Sequence, residues 1–237
     1  MPGATTQAAT TQPASPLGDA RQLVLVVSDN WDATSAVLRR YARPGEGQPW
    51  QAVGEGVPVS IGRTGLAWGR GLHGNPPLPG PTKREGDGKA PAGVFTLPLA
   101  FGYAPKEQAG AVKLPYMQLT AEVMGVDDVK SRRYNQLVRA DQVTKDWDSA
   151  ETMLRPDGLY EWGVFVNHNV SPAQPGAGSC IFLHIWRGPE RSTAGCTAMS
   201  RENMILLVQW LDPAAHPVLV HLPRQAYEHM AEPWGLP

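Results

Sequence analysis

The stretch Cys180-Ile181-Phe182-Leu183-His184-Ile185-Trp186, with Ser192-Thr193-Ala194-Gly195-Cys196-Thr197 after it, decides how this chain is interpreted. The first segment is an apolar run typical of a buried strand, which would hold His184 rigidly near its end. The second segment is a turn of small residues that ends in a thiol. If the chain reverses near Gly188-Pro189-Glu190, the two segments form a hairpin with His184 opposite Cys196.

A thiol beside an imidazole is the chemistry of a cysteine nucleophile. The thiolate attacks, and histidine, with an ordinary pKa of about 6.5, exchanges the proton near neutral pH. The N–H groups of Gly195 and Cys196 would hold an oxyanion. Two alternatives stay open: both side chains belong to the core, or Cys180 and Cys196, the two cysteines of the chain, form a disulfide. The hairpin does not favour the disulfide, because it places Cys180 opposite about Ser200.

Short apolar segments separated by turn residues predict a mainly β fold, a sandwich or barrel of short mixed strands. Gln22–Ser28 is a continuous Leu and Val run and pairs with the segment 36–41 across Asp29-Asn30. Further strands are predicted at 57–61, 94–99 (after a Pro91-Ala92-Gly93 turn), 116–123, 163–167, 181–186 and 218–222, and the segment 65–69 is compact and aromatic.

One helix is well marked and follows the cysteine turn. Ser200 caps it, Met204, Leu207, Val208 and Leu211 recur at helical spacing, and Asp212-Pro213 ends it. Its positive end points towards the thiol region and would lower the thiol pKa. A second, weaker helix is predicted over 148–154.

The composition of the chain limits which classes of function it supports. The 25 glycines and 23 prolines are about a fifth of the 237 residues, against an average near 12%, and predict many turns. A net charge of −1 without a basic cluster gives no support for nucleic-acid binding. No apolar run is long enough to span a membrane. Residues 1–20, rich in Ala, Thr, Gln and Pro, predict a disordered tether before a single domain at 21–237.

Several other polar residues are further candidates for the site. Asn167 and His168 end a predicted strand and could line the same cleft as His184. The loop histidine His73 is an alternative base. Asp127-Asp128, near Glu122, Ser131 and Tyr134-Asn135, could bind a cationic or hydroxyl group, but no histidine lies at ligand spacing, so a solvated loop is favoured over a metal site. The mixed-charge cluster at 83–87 predicts a turn-rich surface that could border the cleft.

Two motifs resemble those of the YkuD-type L,D-transpeptidases. The segment 184–197 is similar to the catalytic motif of that family, in which a histidine precedes a Ser-x-Gly-Cys turn. The segment 83–95 is similar to its Gly-Asp-Gly-x-x-Pro-x-Gly-x-Phe segment. The order and the distance of about ninety residues also agree, and the similarity covers roughly residues 22–224. Two departures stand out: Thr193 replaces the usual Ser, and Ala198 replaces an Arg, for which Arg187, Arg191 and Arg201 are nearby candidates.

The resemblance implies a cysteine acyltransferase that acts on peptidoglycan stem peptides, with an amine or water as acceptor, in the periplasm or cell envelope after removal of a secretion signal. It implies Cys196 as nucleophile, His184 as base and Gly195 as oxyanion donor. Thr193, Ser192, Arg187, Asn167 and His168 are the candidate substrate-binding residues. We expect no cofactor, no metal, no nucleic-acid partner and a monomer. The alternatives are an L,D-carboxypeptidase or amidase of the same fold, and a non-catalytic peptidoglycan-binding module.

Overall fold

The structure is a computed structural model that describes residues 15–237. The chain is mainly β, as predicted, and its strands form one large mixed sheet and one small sheet. The fifteen strands are β1 Gln22–Ser28, β2 Ser35–Ala42, β3 Gln51–Ala52, β4 Val57–Ser60, β5 Leu66–Trp68, β6 Ala90–Thr96, β7 Leu99–Gly102, β8 Tyr116–Gln118, β9 Val123–Val126, β10 Gln136–Arg139, β11 Ala150–Thr152, β12 Trp162–Phe165, β13 Phe182–Ile185, β14 Thr197–Met199 and β15 Val218–Pro223. The two α-helices within residues 15–237 are α1 Arg201–Trp210 and α2 Arg224–Trp234.

The large sheet runs in the order β5-β6-β15-β1-β2-β4-β14-β13-β12-β7-β8, with β3 added to β2. The Leu and Val run of β1 lies near its centre because it pairs parallel with β15 on one side and antiparallel with β2 on the other. Helix α2 packs on β1 and β15, and α1 packs on β12 and β13. Burial of both faces explains why β1 is apolar throughout rather than alternating.

The small sheet has the order β10-β9-β11. Its strand β11, Ala150–Thr152, replaces the helix predicted over 148–154, because the segment pairs antiparallel with β9. The Pro91-Ala92-Gly93 segment lies inside β6 and is not a turn before it. Gly93 has a φ of 134°, and the His73 ring occupies the space that a Cβ atom would need.

The helix predicted after the cysteine turn is confirmed. The Ser200 hydroxyl accepts a hydrogen bond from the Asn203 N–H and caps α1. Helix α2 was not predicted. Within residues 15–237, neither helix is long and apolar enough to cross a bilayer.

The predicted tether lies partly outside the described residues, which begin at Ser15. Residues 15–20 do pack on the domain, contrary to the prediction for this part. Leu17 and Ala20 are buried, and the Ser15 hydroxyl donates to the Trp234 carbonyl at 2.7 Å.

Buried histidines should make the fold acid-sensitive. His221 of β15 is 1% exposed, and burial lowers its pKa to about 3. Since the folded protein resists protonation, stability is fully present above about pH 6.5 and declines as the pH falls towards 3. Between pH 7 and pH 4, we expect the unfolding free energy of His221→Leu to decrease by about 3 kcal/mol less than that of the wild type.

Urea unfolding at several pH values measures this effect, with His229→Leu, at an exposed position of α2, as the matched control. An unchanged pH slope in His221→Leu would contradict the assignment. The slope that remains is expected from His168 and His184, whose pKa values burial lowers to about 4.

Candidate active site

Cys196 and His184 line one cavity of about 500 Å³. Strand β13 carries His184, and Cys196 directly precedes β14. The two strands are neighbours, but they pair parallel, with His184 opposite Ala198. The predicted hairpin is therefore wrong. The segment 186–196 instead passes back along the sheet before β14 begins, and in doing so forms a wall of the cavity.

The turn before Cys196 is held by the Thr193 side chain. Its hydroxyl donates to the Cys196 carbonyl at 2.6 Å and accepts from the Gly195 N–H at 3.1 Å. The Thr193 backbone also bonds to Ile61 and Arg63 on the neighbouring segment. A hydroxyl is what these contacts need, so threonine can take the place of the family's serine. The contacts also show that the Gly195 N–H is engaged within the turn.

Gly195 is required by the geometry of this turn. Its φ is 151°, a conformation that side chains disfavour, and an added Cβ atom would lie 3.0 Å from the Lys89 carbonyl oxygen. Lys89 belongs to the upstream motif at 83–95. The two motifs, distant in sequence, are therefore in contact beside the thiol.

Asp87 organises the upstream motif. Its carboxylate accepts from Lys83 Nζ at 2.6 Å and from the N–H groups of Arg84 and Lys89 at 2.8 and 2.9 Å. This loop places Lys83, which is 5% exposed, and Glu85 at the cavity. The expectation that the 83–87 cluster borders the cleft is met, although Lys83 is buried rather than part of an open surface.

The Cys196 thiol is protonated in the free protein. It donates to the Cys180 carbonyl at 3.6 Å and accepts from the Phe182 N–H at 3.4 Å. Burial, followed by the charge of Glu151, raises its pKa to about 12. The prediction that the helix lowers the Cys196 pKa is wrong. Strand β14 separates Cys196 from the start of α1, and a helix dipole acts over about one turn.

The His184 imidazole is neutral and has a defined tautomer. Its Nδ1–H donates to the Ile185 carbonyl at 2.7 Å, which leaves Nε2 as the basic nitrogen. Burial lowers its pKa to about 4. Among the hydrogen bonds of residues 15–237, none joins His184 to Cys196. Catalytic hydrogen bonds commonly form only when substrate is bound.

Both cysteines are free thiols and no disulfide joins them. Cys180 lies beside Cys196, and not opposite Ser200 as the hairpin implied. Its N–H donates to Asn135 Oδ1 at 2.9 Å, and its thiol faces the Val126 carbonyl at 3.7 Å.

The other predicted residues divide between the cavity and the rest of the fold. Ser192, Thr193 and Arg187 line the cavity, as does Arg191. Arg201 instead pairs with Glu161, at 2.6 Å.

Asn167 and His168 do not line this cavity, contrary to the expectation of a shared cleft. The Asn167 amide donates to the Thr96 hydroxyl at 2.7 Å. His168 is buried, accepts from the Arg70 N–H at 3.2 Å and lies 3.0 Å from the Ala177 carbonyl. His73 also lies elsewhere, packed against Trp68 and Phe95.

Of the paired carboxylates, Asp127 lines the cavity and Asp128 does not. Asp127 accepts from the Ser149 hydroxyl at 2.5 Å, whereas Asp128 accepts from the N–H groups of Lys130 and Asp148. Within residues 15–237, no cluster of three or more potential metal ligands is present.

Sequence reasoning missed several cavity residues, among them Arg63, Glu151, Arg155 and Tyr160. Glu151 lies in β11, and Arg155 and Tyr160 lie in the segment that joins β11 to β12. No motif marks this segment, and its position over His184 depends on the pairing of the small sheet.

A family model for the L,D-transpeptidase catalytic domain, YkuD, matches residues 39–220. The chain belongs to the YkuD L,D-transpeptidase family. The match spans both motifs and most of the large sheet of this YkuD domain. No curated protein and no solved structure shows significant similarity to the chain.

In this YkuD domain, the Thr193 hydroxyl is expected to stabilise the turn before Cys196. Thr193→Val keeps the shape but removes both side-chain hydrogen bonds of the turn. We expect a loss of about 1–3 kcal/mol in unfolding free energy, since each bond contributes about 1 kcal/mol and buried partners are left unpaired. Urea unfolding measures it, and Thr193→Ser, which keeps the hydroxyl, is the matched control. Equal stability of the valine and serine variants would contradict the role of the hydroxyl.

Proposed function

We propose that this protein is a cysteine acyltransferase that carries out L,D-transpeptidation on peptidoglycan stem peptides through a Cys196 thioester. One observation carries the proposal: in a chain of the YkuD family, a thiol and a neutral imidazole of defined tautomer line the same cavity. The reaction belongs in the cell envelope, because stem peptides are found there.

The first half of the proposed reaction forms the thioester. As substrate enters, the Cys196 thiol leaves its backbone partners and passes its proton to His184 Nε2. The sulfur then attacks the carbonyl between the diamino acid and the following D-residue. The Cys196 N–H holds the oxyanion, joined by the Gly195 N–H if it exchanges its Thr193 partner for the substrate. His184 returns the proton to the leaving amine, which departs with the D-residue.

The second half releases the acyl group. An amine gives a cross-link or a protein attachment, and water gives the carboxypeptidase product. His184 accepts a proton from either acceptor, and the thiolate sulfur leaves. Arg187 and Arg191 are candidates for a substrate carboxylate in place of the arginine that Ala198 replaces. Arg191 has no salt-bridge partner among residues 15–237, whereas Arg187 lies 3.3 Å from Asp157.

Intact-mass spectrometry tests the proposal directly. The protein is incubated with a disaccharide tetrapeptide that contains a diamino acid followed by D-Ala. The expected result is a mass increase equal to the acyl fragment, together with released D-Ala. The tripeptide, which lacks the D-residue and its scissile bond, is the matched control. A protein that gains no mass and releases no D-Ala from the tetrapeptide would refute the proposed function.

A further inference from the structure

The His184 ring depends on packing for its orientation. Within residues 15–237, its one hydrogen bond runs from Nδ1 to the carbonyl of the next residue, which sets the tautomer but does not hold the Nε2 edge. The Tyr160 ring packs edge-on against it, with centroids 5.2 Å apart and an interplanar angle of 76°. Tyr160 is itself enclosed by Phe101 and Phe182. The aromatic contact therefore limits how far the imidazole can turn.

Tyr160 in turn is anchored through its hydroxyl. This hydroxyl donates to Glu151 Oε1 at 2.7 Å, and Arg155 Nη1 donates to the same oxygen at 3.2 Å. The Arg155 guanidinium also lies 5.1 Å from the centre of the Tyr160 ring. A buried phenol needs such a partner, because an unpaired polar group in this environment is costly.

Arg155 is locked by a second carboxylate. Its Nε and Nη2 donate to the two oxygens of Asp157 at 2.9 and 2.6 Å. Paired bonds of this kind fix the plane of a guanidinium. The result is a continuous chain of contacts from Asp157 through Arg155, Glu151 and Tyr160 to His184.

We propose that Glu151 and Tyr160 are positioning residues for the thiol chemistry. The Glu151 carboxylate holds the Tyr160 ring through its hydrogen bond, and this ring orients the His184 imidazole. This inference rests on the proposed function. It assigns a role in the reaction to β11 and to the segment between β11 and β12.

The charge of Glu151 has a separate effect that helps to test the assignment. After burial, this charge is the largest cause that raises the pKa of Cys196. Glu151→Gln keeps an oxygen that accepts the Tyr160 hydroxyl, but it removes the charge. We therefore expect the pH profile of Cys196 alkylation by iodoacetamide to move to lower pH in this variant.

A double-mutant cycle on the hydroxyl and the carboxylate tests the proposal. Tyr160→Phe keeps the ring and loses the hydroxyl, and Glu151→Ala loses the acceptor. Each is expected to slow thioester formation by about 10- to 100-fold, since small misplacements of catalytic groups have effects of that size. The loss should fall on kcat rather than KM. The double variant should be no slower than the slower single variant, because both changes break the same bond. Glu151→Gln should recover part of the rate lost in Glu151→Ala.

Tyr116→Phe is the matched control. It also removes a tyrosine hydroxyl, one that donates to the Ala104 carbonyl at 2.8 Å, and it contacts no member of the chain from Asp157 to His184. Its rate should equal that of the wild type, and urea midpoints identify any variant that is simply unfolded.

The outcomes separate the two proposals. If the wild type forms the thioester and Tyr160→Phe and Glu151→Ala form it equally fast, the positioning role is overturned and the proposed function stands. Additive losses in the double variant also overturn it. If the wild type forms no thioester, the proposed function fails and the positioning role fails with it.

Discussion

Replacing Cys196 with alanine is expected to abolish thioester formation and to lower turnover by about 10⁶-fold, the size of effect seen when a catalytic nucleophile is removed. The thiol lines the cavity, and the turn held by Thr193 places it there. Intact-mass spectrometry with the tetrapeptide measures the adduct, and release of D-Ala measures turnover. Because the Cys196 thiol bonds only to backbone groups among residues 15–237, the alanine variant should remain folded.

Cys180→Ala is the matched control for this prediction. The Cys196 thiol contacts the backbone carbonyl of Cys180, which alanine retains, and not its sulfur. Most activity should therefore survive. Equal loss in both variants, with a Cys180–Cys196 disulfide detected in the active protein, would contradict the assignment of Cys196 as the single nucleophile.

Replacing His184 with alanine is expected to lower turnover by about 10²- to 10⁴-fold, the usual effect of removing a general base. The pH dependence adds a sharper test. A base must be unprotonated, and burial lowers the His184 pKa to about 4. The acidic limb of kcat/KM should therefore lie near pH 4 rather than near pH 6.5, and activity should persist through pH 5–6.

Two other histidines provide the controls for the base. His229→Ala, at an exposed position of α2, should leave turnover unchanged. His73→Ala tests the alternative base, and it should retain turnover once the data are corrected for the folded fraction. Persistence of turnover in His184→Ala with loss in His73→Ala would show that the base is His73.

Strand β1 and helix α1 were predictable because their signals are local. The Leu and Val run of β1, the cap at Ser200 and the apolar spacing of α1 depend on neighbours in sequence alone. Helix α2 carries weaker signals: its N-cap is Pro223, without a side-chain hydrogen bond, and Pro233 lies within it. The segment 148–154 contains residues that suit a helix, but its pairing with β9 determines its structure.

Sequence reasoning placed Cys196 and His184 in one cavity, but it did not give the geometry of that cavity or its full lining. A pattern of apolar and small residues locates His184 and Cys196, but it does not say whether their strands pair parallel or antiparallel. The predicted direction of the Cys196 pKa shift was wrong for the same reason, because the sequence pattern does not show which segments cover the sulfur. Tyr160 and Glu151 were not predicted, because β11 and the segment after it come close to His184 only in the folded chain.

The parallel pairing of β13 and β14 has a consequence for how the cavity of this protein can be altered. Two strands that run in the same direction require a connection that travels back along the sheet. Here that connection is the segment 186–196, which ends at Cys196 and supplies a cavity wall. Its residues 187–191 lie outside the sheet ladder. Insertions, deletions or grafted loops at 187–191 can therefore change which molecules fit beside the thiol while the strands that carry His184 and Cys196 keep their register.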